Sequence, residues 1–142
     1  MEPTDPGPAE STRTAVHPMR GKVLYIEDQP VYQDLVEAML AQSPGITLIK
    51  TTTGREGVRL AQTEMPDVIL LDLHLPDISG LEVVRSLSEL IAKKRFRVIL
   101  LTADTFSIDV VKAMSLGAHE YWVKPVTLDR LLAGLDRALR VG

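Results

Sequence analysis

Acidic, hydroxyl and amine side chains follow short apolar runs of this chain, each at the point where a run ends. Glu27 and Asp28 follow the first run, Asp72 ends a second, and Thr102 and Lys124 end two later ones. Carboxylates brought together repel one another and raise their pKa values, unless a divalent cation lies among them. Oxygen ligands without cysteine favour a hard ion, and a site with room for waters and a phosphate suits Mg²⁺. A lysine would neutralise charge on a transferring phosphoryl group and a hydroxyl would complete its site, so Asp72 is predicted to be the nucleophile that forms an aspartyl phosphate.

The run that ends on Asp72 is predicted to be a strand buried on both faces. Residues 68–71 are apolar and lie between Pro66 and Pro76, a pattern typical of parallel sheets. In open sheets of this kind, ligands bind beyond the carboxyl ends of the strands. A charge buried there without a partner costs several kcal/mol, so Asp72 either pairs with a cation or takes part in chemistry.

Strand patterns and helix patterns alternate along the rest of the chain. The predicted strands cover residues 23–26, 46–52, 68–71, 98–101 and 119–123. The predicted helices begin near Pro30, Thr53, Ser79, Ser107 and Thr127, and the fourth ends at Gly117. In the first helix, Val31, Leu35, Ala38 and Met39 are predicted to form the apolar stripe. Strict alternation predicts an α/β fold: a doubly wound, five-stranded parallel sheet with helices on both faces.

Composition indicates one globular domain of ordinary charge. The chain has 142 residues, a net charge of −3 and no cysteine, which is typical of cytosolic proteins. No apolar run approaches the roughly 18 residues of a membrane span, so neither a membrane-spanning segment nor a secretory signal is expected.

The basic residues 93–95 are interpreted as a solvated helix end, and no direct contact with nucleic acid is expected. Residues 1–20, rich in proline, are predicted to be a disordered leader or linker before a domain over residues 21–142.

The pieces at the strand ends together resemble the receiver domain of two-component response regulators, over roughly residues 21–140. The matching segments, in the family's order, are residues 25–28, 70–80, 101–103 and 121–125. The resemblance implies a (βα)5 flavodoxin-like fold with strand order 2-1-3-4-5. It also implies a cytoplasmic phosphorelay protein that takes a phosphoryl group from a phosphohistidine. Its partner would be a histidine kinase or a histidine phosphotransfer protein.

The resemblance assigns roles to the acidic residues. Asp72 resembles the phosphoacceptor, Asp28 a direct Mg²⁺ ligand, and Glu27 a ligand that acts through water. His74 matches the position whose backbone carbonyl completes the metal site. The imidazole of His74 is expected to face solvent rather than to bind a transition metal.

The resemblance also implies a switch. Lys124 would bind the phosphoryl group and precede a cis bond to Pro125. Thr102 and Tyr121 resemble the pair in which the hydroxyl moves toward the phosphoryl group and the ring turns inward. The responding surface would be that of the fourth helix, fifth strand and fifth helix, which is also where a homodimer is expected. Trp122 is assigned to packing.

Other interpretations remain open at this point. Asp72 would be a structural salt-bridge partner of Lys124 in an interaction module that is never phosphorylated. An aspartyl-phosphate hydrolase is disfavoured, because such enzymes need a second aspartate where His74 stands. The receiver would either work alone as a relay protein or be excised from a larger regulator or hybrid kinase. As a receiver it would catalyse only its own phosphorylation and dephosphorylation.

Overall fold

Parallel strands form the centre of the protein. The structure, a computed structural model, describes residues 18–103 and 107–140, so residues 1–17 of the predicted leader lie outside it. The strands are β1 (Gly21–Ile26), β2 (Ile46–Thr51), β3 (Val68–Asp72), β4 (Arg97–Thr102) and β5 (Glu120–Val123). They pair in the order β2-β1-β3-β4-β5, and all neighbours are parallel. The predicted flavodoxin-like topology is therefore confirmed.

Helices connect the strands. They are α1 (Pro30–Leu40), α2 (Gly54–Glu64), α3 (Gly80–Ser86), α4 (Ser88–Ala92), α5 (Ile108–Ser115) and α6 (Leu128–Arg140). The single third helix predicted from the sequence is instead two segments, α3 and α4. The amide of Leu87 is shared between the carbonyls of Val83 and Val84, at 3.1 Å each. This tightened turn, around a buried leucine, separates the two segments.

Helix ends follow the local sequence closely. Thr53, Ser79 and Thr127 each accept a hydrogen bond from the amide three residues later, at 3.3, 3.2 and 3.2 Å. These side chains satisfy amides that have no partner within the helix. Gly117, after α5, has a φ of 111°, as its predicted position at the end of that helix requires. The predicted helix boundaries at these points are confirmed.

The apolar stripe predicted for α1 is largely the wrong face. Val31 and Leu35 are 66% and 43% exposed, whereas Gln33, Val36 and Leu40 are buried. Val36 and Leu40 pack into the cluster on one side of the sheet, so α1 does have an apolar inner face. That face also includes Gln33, because its amide bonds to two backbone carbonyls at the strand ends.

Two apolar clusters cover the two faces of the sheet. The cluster on the α1 and α6 side includes Trp122, which is 1% exposed, and Met19 packs against it. The indole ring lies so close to α6 that a Cβ added to Gly134 would be 2.0 Å from it. Trp122 is therefore a packing residue, as predicted. Residues 18–20, although assigned to the leader, include a side chain that contacts this core.

Candidate functional site

The predicted convergence at the carboxyl edge of the sheet is present. Asp72 is the last residue of β3 and pairs in register with Leu101 of β4. Glu27 directly follows β1, the other neighbour of β3. Lys124 directly follows β5, and its amide donates to the carbonyl of Thr102 at 2.8 Å. Parallel pairing therefore places these residues at one edge, although they are distant in the chain.

Lys124 links two of the carboxylates. Its Nζ lies 2.9 Å from Glu27 Oε1 and 3.2 Å from Asp72 Oδ2. The Glu27 side chain is fully buried, and those of Asp72 and Lys124 are 5% and 14% exposed. The ammonium group also lies 4.6 Å from the centre of the Tyr32 ring, within the range of a cation–π contact. The ammonium of Lys124 is thus held by the carboxylates of Glu27 and Asp72 and by the ring of Tyr32.

The acidic residues form a group that suits a metal ion. Glu27, Asp28 and Asp72 each offer a carboxylate oxygen within 4.8 Å of the others. All donors are oxygens, which are the ligands that Mg²⁺ prefers. When all three acids are ionised, their charges and that of the Lys124 ammonium leave two negative charges, which a divalent cation would balance. The residues present therefore fit a hard divalent ion.

Burial and neighbouring charges shift the pKa values of this group. Burial, reinforced by the hydrogen bond and charge of Asp72 and opposed by Lys124, raises the pKa of Glu27 to about 7. Burial disfavours the charged form of Lys124, but the hydrogen bond to Glu27 and the charge of Asp72 outweigh it, so the pKa of Lys124 is raised. The surroundings therefore disfavour the ionised form of Glu27 and favour the protonated form of Lys124.

Three further residues that sequence reasoning missed hold Glu27 in place. The hydroxyl of Tyr25 donates to Glu27 Oε1 at 3.2 Å, and the amide of Gln29 donates to Oε2 at 3.3 Å. Gln33 Nε2 donates to the carbonyls of Glu27 and Thr51, at 2.7 and 2.9 Å. The contact of Tyr25 could have been predicted from the sequence, since Tyr25 and Glu27 are two positions apart and such residues of an extended strand lie on the same face. The contacts of Gln33 could not have been predicted, because they depend on how α1 is rotated about its axis.

An open cleft of about 390 Å³ lies above these groups. Its lining residues are Asp28, Gln29, Tyr32, Asp72, His74, Ala103, Lys124 and Pro125. The amide of His74 donates to Asp72 Oδ1 at 3.0 Å, while the His74 residue is exposed, as expected. The bond between Lys124 and Pro125 is cis, as the resemblance implies. The predicted ligand role of the His74 carbonyl stays a prediction.

The residues of the predicted switch pair lie on adjacent strands but not side by side. Thr102 is fully buried and pairs in register with Val123, whereas Tyr121 pairs with Leu100 and is 42% exposed. The Tyr121 ring lines a mainly apolar cavity of about 570 Å³ on the α5 face. The structure therefore brings Thr102 next to Lys124 and leaves Tyr121 on the outer surface.

Comparisons with known proteins identify the family of this chain. The family model of the response regulator receiver domain matches residues 23–136. The cell cycle response regulator CtrA of Brucella ovis is 35% identical over 119 residues, which are 84% of this chain and 50% of CtrA. Chemotaxis protein CheY4 of Vibrio cholerae has 29% identity and a TM-score of 0.74, with 85% of this chain and all of that chain covered.

A further solved structure is similar at the same level. It is the receiver domain of a sensor histidine kinase from Pseudomonas aeruginosa PAO1, with a magnesium ion coordinated in its active site cleft. It has 30% identity and a TM-score of 0.75, with 86% of this chain and 99% of that chain covered. The present chain spans about half the length of the curated relatives it matches. Among the described residues, no helix has the length and apolar character needed to span a membrane.

Proposed function

This chain belongs to the response regulator receiver domain family, the signalling modules of two-component systems, and from this membership we propose that Asp72 accepts a phosphoryl group from a partner's phosphohistidine. The observation on which the proposal depends is that Asp28, Asp72 and Lys124 line one open cleft, with the buried Glu27 in contact with Lys124. Such a group has the nucleophile, the cation site and the ammonium that phosphoryl transfer requires.

The proposed transfer is a displacement at phosphorus. An oxygen of Asp72 forms a bond to phosphorus while the bond from phosphorus to the imidazole nitrogen breaks. The electron pair of that bond stays on the imidazole nitrogen, which takes up one proton from solvent, so that the ring leaves neutral. The cleft provides the room for this exchange, because Asp72 and Lys124 line the same opening.

The chain's own residues orient and neutralise the reacting groups. The His74 amide holds Oδ1 of Asp72, and Lys124 lies at Oδ2, where it can follow the negative charge onto the phosphoryl oxygens. We propose that Asp28, Asp72 and the His74 carbonyl hold Mg²⁺ directly, with Glu27 acting through water. When bound, Mg²⁺ would supply the remaining positive charge that the phosphoryl oxygens need.

The proposed response uses Thr102, Tyr121 and the surface of α5, β5 and α6. A phosphoryl group adds about −1.5 to −2 charges at pH 7, which can bias two packings that differ by a few kcal/mol. Ile108, Val111 and Tyr121 are exposed on this surface. Exposed apolar groups beside the switch support a role in binding an output partner or a second copy of the chain.

The phosphodonor must approach from the open side of the cleft. Receiver domains interact with histidine kinases or histidine phosphotransfer proteins, and we propose one of these as the partner. Val31 and Leu35 on α1 and Leu128 at the start of α6 are exposed, and both helices begin within a few residues of the cleft lining. We propose that these side chains contact the donor.

Intact-mass measurement tests the proposal. Wild type incubated with acetyl phosphate and Mg²⁺ should gain one phosphoryl group that hydroxylamine removes, and Asp72→Asn should gain none. Asp34→Asn, at an exposed position of α1, should be modified like wild type. If wild type gains no adduct from either acetyl phosphate or a phosphorylated histidine phosphotransfer protein, the proposal is wrong. The ion pair between Asp72 and Lys124 would then mark an interaction module that does not use phosphorylation.

A further inference from the structure

Tyr25 is a buried polar side chain that the proposed chemistry does not use. It lies in β1, is 1% exposed, and its ring packs in the apolar cluster with Val23, Val36 and Leu70. Only its hydroxyl reaches a polar group, the Oε1 atom of Glu27 at 3.2 Å. A hydroxyl in such surroundings is costly unless it is hydrogen-bonded. Its position is therefore tied to that of the carboxylate.

Glu27 needs this support more than an aspartate would. Its side chain has one more rotatable bond than that of Asp28, and it must stop with its oxygens near those of Asp72. Tyr25 and Lys124 both donate to Oε1, at 3.2 and 2.9 Å, and the Gln29 amide donates to Oε2 at 3.3 Å. The longer of the two acids is thus held by three donors, two from its own segment and one from the end of β5.

The donors differ in how rigid they are. Lys124 is a flexible side chain that is also engaged by Asp72 and would be drawn toward a phosphoryl group. Tyr25 has two side-chain torsions, and its ring is buried in the close-packed apolar cluster. When Lys124 moves, Tyr25 is therefore the side-chain donor that still holds Oε1, while the Gln29 backbone amide holds Oε2.

From these contacts we infer that Tyr25 is a positioning residue for the metal site, which acts by holding Glu27 Oε1 so that the carboxylate stays within reach of Asp28 and Asp72. The inference rests on the proposed function, in which these three acids hold Mg²⁺. Groups that orient metal ligands in this way typically contribute about 10-fold or more to metal affinity. Because the proposed contact of Glu27 with Mg²⁺ is through water, we expect an effect at the lower end of that range.

Tyr25→Phe isolates the hydroxyl, since it leaves every carbon of the ring. We expect the variant to bind Mg²⁺ about 10-fold more weakly than wild type. The measurement is a Mg²⁺ titration followed by the chemical shift of the His74 amide, which donates directly to Asp72. In a Glu27→Ala background, the same Tyr25→Phe change should alter the affinity less than 2-fold, because the group through which the hydroxyl acts is gone.

Val36→Ala is the control for general destabilisation. It makes a cavity in the same apolar cluster and should lower stability without changing Mg²⁺ affinity. Equal Mg²⁺ affinities of wild type and Tyr25→Phe would overturn the inference, as would an equal loss in the presence and absence of Glu27. If wild type itself binds no Mg²⁺ at millimolar concentrations, the metal site of the proposed function fails, a result distinct from the failure of Tyr25 alone.

Discussion

The ammonium nitrogen of Lys124 lies 2.9 Å from Glu27 Oε1, across a separation of 97 positions in the chain. The glutamate side chain is fully buried and that of the lysine is 14% exposed. A carboxylate in such a place is stable only when it is paired or protonated. The same ammonium also lies 3.2 Å from Asp72 Oδ2, so Lys124 forms ion pairs with both acids.

Removal of the Lys124 charge should destabilise the protein strongly. Lys124→Met keeps the apolar part of the side chain and leaves Glu27 and Asp72 without their cation. We expect the free energy of unfolding at pH 8, without divalent ions, to fall by about 3 kcal/mol. Urea denaturation measures it. Lys50→Met, which breaks an exposed ion pair with Glu37, should cost less than about 1 kcal/mol. Similar losses in the two variants would contradict the prediction.

The raised pKa of Glu27 should make stability depend on pH. Burial and Asp72 raise this pKa from 4.5 to about 7, so between these values the folded protein binds more protons than the unfolded chain. The contribution of Glu27 is therefore fully present below pH 4.5 and is lost as the pH rises through 7. We expect Glu27→Gln to remove this slope. Denaturant titrations from pH 5 to 8 in EDTA measure the free energy of unfolding of the two proteins. If this free energy changes equally with pH in wild type and Glu27→Gln, the prediction is wrong.

Gln33 should contribute to stability through its two backbone hydrogen bonds. Gln33→Met keeps the side-chain length but removes the donors to the Glu27 and Thr51 carbonyls. We expect a loss of about 2 kcal/mol, since buried carbonyls lose a partner. Thermal and urea denaturation measure the loss. Gln42→Met, at an exposed position after α1, should stay within about 0.5 kcal/mol of wild type. A Gln33→Met variant as stable as wild type would show that these two hydrogen bonds do not contribute to stability.

Asp77 should stabilise the start of α2, and this contribution should be lost when the carboxylate is protonated at low pH. Its carboxylate oxygens accept hydrogen bonds from the amides of Gly54 and Arg55, at 2.8 and 2.9 Å. Burial raises the pKa of Asp77, but these bonds outweigh it and lower the pKa from 3.8 to about 2. Its contribution is thus present above pH 3.8 and is lost as the pH falls through 2.

Asp77→Ala should therefore lower the free energy of unfolding by about 1 kcal/mol at pH 7, the usual value of a helix cap. The difference from wild type should shrink between pH 4 and pH 2. Asp77→Asn, which keeps one oxygen acceptor, should lose less than Asp77→Ala at pH 7. Urea titrations at several pH values measure these differences. A difference that stays constant down to pH 2 would count against the role of the carboxylate.

Local patterns were sufficient to predict the order of strands and helices and several helix ends. Thr53, Ser79 and Thr127 begin helices because a side-chain oxygen three residues before an amide can cap it in almost any protein. The interruption at Leu87 was not predicted, since an apolar period of 3.6 residues continues through it. The inner face of α1 was predicted wrongly, because both Val31 with Leu35 and Val36 with Leu40 fit a helical period.

The amino-acid sequence by itself determined the parallel sheet and the residues at its carboxyl edge, because apolar runs become buried strands and the residue after each run must lie at the strand's end. Glu27, Asp72 and Lys124 were identified in this way. Only the tertiary structure decided that Lys124 bridges Glu27 and Asp72, that Gln33 faces inward and that Tyr25 reaches Glu27. These contacts join atoms of different elements, and their distances depend on helix rotation and strand register, which no local period specifies.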